Sequence, residues 1–184
     1  MGRDLMRYAL VLFVFLGVLW GLEIVDLILG EPLNAFGVQP RTIPGLAGIL
    51  FHPLLHGGLG HLLGNTIGLF VFGWMVMLRE EKHFYVVIGL TWLIGGAGTW
   101  LFGAAGSTHI GASGLVFGLF GYLLLAGVFE RRFGSILLSL FVLVTWGGMI
   151  FGVLPGQLGI SWEGHLFGFL AGALCAKLLA HKRD

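Results

Sequence analysis

The chain has 184 residues, 57% hydrophobic and only 10% charged, with a net charge of +1 and a mean hydropathy of +0.96. Soluble domains carry about 25% charged residues, so a water-soluble globular fold is excluded and a membrane setting is indicated. The near-zero net charge gives no ground for a nucleic-acid partner.

Glycine supplies 33 residues, well above the usual share of about 7%, as closely packed transmembrane helices require. The single cysteine, Cys175, cannot close an internal disulfide and is expected to be a packing residue.

A helix needs roughly 20 apolar residues to cross the hydrocarbon core. Six runs meet that length, at about residues 8–29, 57–78, 84–105, 113–129, 135–154 and 162–180. The first exceeds the apolar core of a cleaved signal peptide and no small-x-small site follows it, so a retained anchor is expected. Met6 stands where a myristoylation signal would need Ser or Thr. Residues 30–56 hold Pro32, Pro40, Pro44 and Pro53 and read as an ordered loop at the membrane surface. The remaining breaks are short, so residues 1–184 read as one all-α membrane domain with no soluble domain appended.

Placing the N-terminus in the cytoplasm puts Arg3, Arg7, Arg79, Lys82, Arg131, Arg132, Lys177, Lys182 and Arg183 on the inner side and leaves only Arg41 outside. The positive-inside rule therefore predicts both termini in the cytoplasm. The second, fourth and sixth spans then all run inward from the outer surface. Their first turns share one depth and carry His61 and Asn65, Ser113, and His165. His61 and Asn65 are four apart and stack on one helix face.

Polar side chains at that depth are costly, which makes chemistry the default reading. A serine hydroxyl becomes nucleophilic when a base takes its proton, and a neutral histidine can serve near pH 7. Ser113 begins a helix, where unpaired N–H groups and the helix dipole favour negative charge. Gly114 leaves room for a substrate carbonyl, and His61 and Asn65 can donate to an oxyanion. Glu163 lies two residues from His165 and faces elsewhere on the helix, so a Ser–His dyad is the simpler expectation. Gly114 with Gly118, and Gly168 with Gly172, are small-xxx-small pairs that would bring the fourth and sixth spans close together.

Three motifs, in this order and each on its own span, make the chain resemble a rhomboid intramembrane serine protease of the bacterial six-span form. They are His52-x3-His56-x4-His61-x3-Asn65, Gly111-Ala112-Ser113-Gly114, and Gly164-His165-x2-Gly168-x3-Gly172. The resemblance implies Ser113 as nucleophile, His165 as base, and His61 and Asn65 at the oxyanion site. It also implies a substrate gate in the fifth span and a cap in the loop over the site. The substrates would be transmembrane proteins, cut near the outer face of the cell membrane. No metal, nucleotide or other cofactor is implied. Two positions depart from the family pattern. Phe117 replaces a frequent tyrosine that stacks on the catalytic histidine. Ala47-Gly48 stand where a Trp-Arg pair is common, so Arg41 is expected to take over part of the loop's bonding.

Each residue also has a plainer reading. Ser113 alone could bond a neighbouring carbonyl, as Ser135 and Ser139 are expected to do. His52 and His56 could join His61 on a metal, but Pro53 interrupts their helix and no acidic partner shares the layer, so both are read as structural. His83, His109 and His181 are read as solvated, and Glu23 and Asp26 as carboxylates that position the loop. A non-proteolytic client-binding protein of the same fold, or a transporter using its histidines, stays open beside the protease.

Overall fold

A computed structural model describes residues 2–156 and 159–180. His181, Lys182 and Arg183, for which solvation or an inner position is expected, lie outside the described residues. The chain is all-helical, and the described residues contain no strand beyond one isolated bridge between Val38 and His109. Among the described residues, five helical segments are long and apolar enough to cross a membrane: α1 (Gly2–Leu29), α3 (Leu59–Arg79), α4 (Glu81–Phe102), α5 (Ser113–Glu130) and Phe133–Val153. The last joins α6 (Phe133–Trp146) to a 3₁₀ segment, Gly147–Val153. The final helix, α7 (Trp162–Leu178), is shorter at 17 residues.

Two boundaries move for clear physical reasons. Hydropathy sees only the apolar part of α1, whereas the helix continues back through Arg3, Asp4 and Arg7. Arg7 pairs with Asp4 at 3.3 Å and with Glu81 at 2.6 Å, which ties that polar turn to the start of α4. The expected fifth span, 135–154, is not one continuous α-helix. Gly147, Gly148 and Gly152 fall in its last third, where the entropic cost of ordering glycine weakens the α-helix and the chain goes over to the tighter 3₁₀ winding.

The loop after α1 is ordered, as its prolines suggest. It contains a 3₁₀ turn, Pro32–Phe36, and α2 (Ile43–Phe51). Thr42 Oγ1 caps α2 by accepting the Gly45 N–H at 3.0 Å. Asp26 accepts the Leu33 N–H at 2.7 Å and Glu23 accepts the Gly58 N–H at 2.8 Å, so both carboxylates fasten the loop to α1. Arg41 donates to the carbonyls of Leu101 and Gly103, both at 2.9 Å, and holds the loop to the end of α4. Gly48 lies against the Gly37 backbone, where any Cβ would overlap the Gly37 carbonyl. The arginine of a Trp-Arg pair therefore has no room at position 48.

Helix α5 occupies the middle, with α7 on one side and α3, α4 and α6 around it. Leu115, Leu119, Phe120 and Leu123 of α5 meet Leu62, Leu69, Phe72 and Val76 of α3 in one core, to which α1 adds Leu12, Leu16 and Leu19. Large apolar residues such as Phe13, Val14, Phe141 and Val144 are exposed, as a lipid-facing rim requires. At the polar end opposite Ser113, Arg79 pairs with Glu130 at 2.7 Å and Ser135 also bonds Glu130. His83 Nδ1 meets the Tyr122 hydroxyl at 2.6 Å. His83 is therefore buried and bonded, not solvated as its sequence position suggests, because α4 begins three residues earlier than hydropathy indicates.

The closest helix pair is α5 with α7. A Cβ at Gly168 would overlap the Gly114 carbonyl oxygen, and one at Gly172 the Gly118 carbonyl oxygen. Gly172→Val should therefore lower the thermal unfolding midpoint in detergent by several degrees, from overpacking that costs about 1–3 kcal/mol. Gly17→Val, on an open face of α1 with nothing within 4 Å, should leave it unchanged. Equal midpoints for the two variants would contradict this packing.

Candidate active site

The N-terminal ends of α3, α5 and α7 surround one cleft of about 970 Å³. Its lining brings together His61, Asn65, Ser113, Phe117 and His165. Residues from three separate motifs thus face one space.

Ser113 is the first residue of α5, after Ala112 at the cap position. The carbonyl of Ala112 accepts from Leu115 N at 2.9 Å and Val116 N at 3.1 Å. The N–H groups of Ser113 and Gly114 come earlier in the helix and have no intrahelical acceptor. They provide positive potential beside the hydroxyl.

His165 lies one turn into α7 and is buried. Its ring stacks on Phe117 with centroids 4.0 Å apart and planes 12° from parallel. Phe117 thus supplies the flat wall that a tyrosine would, without the hydroxyl. His165 Nδ1 lies 3.0 Å from the Gly152 carbonyl oxygen. A carbonyl can only accept, so Nδ1 carries the proton and Nε2 of the neutral ring is the basic nitrogen. The Gly152 carbonyl belongs to the 3₁₀ segment.

His61 and Asn65 approach from α3. Gly111 has a φ of +111° and lies so close to the His61 ring that a Cβ there would stand 2.7 Å from Nε2. Asn65 is buried, and its Nδ2 has no hydrogen-bond partner. An uncompensated buried amide donor is expensive, and a developing oxyanion in the cleft would satisfy it.

His52 and His56 hold the backbone that precedes Ser113. The His52 carbonyl accepts the Gly111 N–H at 2.8 Å, and His56 Nε2 accepts the Ala112 N–H at 3.4 Å. Both thus brace this turn, and His56 also lies edge-on to His61 of α3. Burial holds both rings far below the ordinary histidine range, each at about 4. For His56 the neighbouring His61, 5.2 Å away between ring centroids, pushes in the same direction. Among the described residues no three His, Cys, Asp or Glu side chains converge as a metal site.

Sequence reasoning missed two participants. The Gly152 carbonyl is invisible to any side-chain motif. His109 was read as solvated, but both its ring nitrogens are bonded, to Ser107 and to Ser161. Ser161 just ahead of an apolar helix was the available signal.

The family model for the Rhomboid domain matches residues 45–182. An uncharacterized protein of Mycobacterium tuberculosis and another of Mycobacterium bovis are each 41% identical over 155 residues, covering 80% of this chain. An uncharacterized protein of Mycobacterium leprae is 37% identical over 149 residues, covering 78% of this chain. The matches cover 65% of the first two relatives and 59% of the third, so the chain spans less than two thirds of their length.

The lowered histidines make stability depend on pH. In the unfolded chain His52 and His56 take up protons near pH 6.5, whereas the fold resists this until about 4. Between those values the unfolded state binds more protons, so stability falls as pH falls. The unfolding midpoint in detergent should be flat above pH 7 and drop by several degrees towards pH 4.5. A His52→Asn, His56→Asn double variant should lose most of that slope, and an unchanged slope would show that other groups cause it.

Proposed function

The chain belongs to the rhomboid family, and from that premise we propose that it is an intramembrane serine endopeptidase acting on transmembrane segments of other proteins. The observation that carries the reading is the state of His165. Phe117 on its face and the Gly152 carbonyl on Nδ1 fix the ring with Nε2 as the base, in the cleft that Ser113 lines.

The reaction follows from these groups. Nε2 of His165 takes the Ser113 proton as Oγ attacks a peptide carbonyl carbon. The negative charge that moves to the carbonyl oxygen is met by Asn65 Nδ2, His61 and the first N–H groups of α5 at Gly114. His165 then gives its proton to the departing amine, leaving an acyl-enzyme on Ser113. A water molecule loses a proton to His165 and attacks the ester, and the acid leaves as His165 returns that proton to Ser113 Oγ. Helical substrate must unwind locally to expose its carbonyl, so segments rich in Gly or Pro are favoured.

The same reading gives the chain six crossings, with α7 as the sixth, and one membrane domain over residues 1–184. The balance of Lys and Arg puts both termini in the cytoplasm and the cleft towards the outer face of the cell membrane. Peptide-bond hydrolysis by serine and histidine needs no cofactor.

Fluorophosphonate labelling of the purified protein tests the reading without knowledge of a natural substrate. Wild type should take the label at one site, and Ser113→Ala and His165→Ala should take none. Asn65→Ala should label about 10²-fold more slowly, from loss of one oxyanion donor. Label retained by Ser113→Ala would assign the nucleophile elsewhere. A folded wild type that neither labels nor cuts a transmembrane peptide in liposomes would point to client binding without cleavage.

A further inference from the structure

Two loops reach the cleft from different helices, and one imidazole joins them. His109 stands four residues before Ser113, and Ser161 four residues before His165. His109 Nδ1 is 2.6 Å from Ser161 Oγ, and Nε2 is 2.7 Å from Ser107 Oγ.

The direction of these bonds can be assigned. Ser107 Oγ donates its only proton to the Ala104 carbonyl at 2.6 Å. It must therefore accept from His109, which places the ring proton on Nε2. Nδ1 of the neutral ring then accepts from the Ser161 hydroxyl. Each polar hydrogen is used once, along Ser161, His109, Ser107 and Ala104. Burial lowers the proton affinity of His109, opposed in part by nearby Glu163, and so favours the neutral ring that this arrangement uses.

Both ends of the link are anchored. His109 exchanges two backbone hydrogen bonds of 2.9 Å with Val38, and a Cβ at Gly103 would come within 2.8 Å of Nε2. The ring is thus held between the surface loop and the end of α4. The Ser161 carbonyl accepts the His165 N–H at 3.1 Å, so Ser161 is built into the first turn of α7. The Ser161 side chain makes no cap to its own helix. Its hydroxyl faces His109.

We propose that His109 is a positioning residue for the catalytic pair, clasping the loop that delivers Ser113 to the turn that delivers His165. The proposal rests on the serine-protease reading of the same cleft. His109 acts through Ser161 and the backbone of α7, with no contact to the reacting atoms. The close α5–α7 contact fixes the separation of the two helices. The clasp fixes how far α7 slides and turns along that smooth glycine seam, and hence where Nε2 of His165 stands relative to Ser113.

The test is the rate of fluorophosphonate labelling of the full chain, separated into probe affinity and the rate of inactivation once bound. His109→Ala and Ser161→Ala should each slow inactivation about tenfold with probe affinity unchanged, as for a misplaced base. Ser161→Thr, which keeps the hydroxyl, should return to nearly the wild-type rate. The double variant should lose about tenfold, whereas two independent structural defects would multiply to about a hundredfold.

Wild-type rates in both single variants, beside a silent Ser113→Ala, would overturn the clasp while leaving the protease reading intact. Multiplying losses would overturn it too. If His109→Ala does not fold, the Ser161→Ala and Ser161→Thr pair decides alone. Folded wild type that neither takes the label nor cuts a transmembrane peptide in liposomes would overturn the protease reading, and the clasp with it.

Discussion

The arrangement depends on a contact between two backbones. Within lipid there is no hydrophobic gain from burying one apolar helix against another, so close association needs surfaces that fit. Gly114 and Gly118 on α5 lie against Gly168 and Gly172 on α7 with no side chain between them. Ser113 precedes the first glycine of one pair, and His165 stands three residues before the first glycine of the other. A contact that brings the glycines together therefore brings the first turns of both helices to the same edge of the cleft. Larger side chains on this seam would separate the helix axes and widen the distance a proton has to cross.

The other glycines near the cleft act for different reasons. Gly111 needs its positive φ to turn the chain into α5, and its missing Cβ lets His61 lie against the backbone just before Ser113. Gly96 lets Ile49 and His52 of the surface loop rest on α4. The loop is therefore packed onto the helices, which is how the His52 carbonyl reaches the Gly111 N–H. A surface segment becomes part of the wall behind the nucleophile.

Much of this was legible in the sequence because membrane constraints are simple. Long apolar runs marked the helices, and the glycine spacing marked the α5–α7 seam. A single shared depth singled out His61, Asn65, Ser113 and His165 from all other polar residues. What could not be read were contacts made by backbone atoms and by residues with several plausible partners. The run from 135 to 154 is apolar throughout, and nothing in its hydropathy shows that α-helix stops at Trp146. His109 and His83 sit near span ends, where water is the default partner. Only the packed structure gives each a serine or tyrosine instead.

Cohesion is unevenly spread along the segment that closes one side of the cleft. In its inner half, Ser139 donates to the Leu123 carbonyl at 2.8 Å and accepts the Gly127 N–H at 2.9 Å. Ser135 joins the Arg79–Glu130 pair nearby. In its C-terminal third, Gly147–Val153, no residue is buried. Yet this loosely held stretch supplies the carbonyl that keeps the His165 proton on Nδ1. Withdrawing Gly152 by even 1 Å would break that bond and free the ring to take the other tautomer, with its proton facing the cleft. The position of this wall and the basicity presented to Ser113 are therefore coupled through a single hydrogen bond. The His165 ring keeps this tautomer only while the Gly147–Val153 stretch lies against α7.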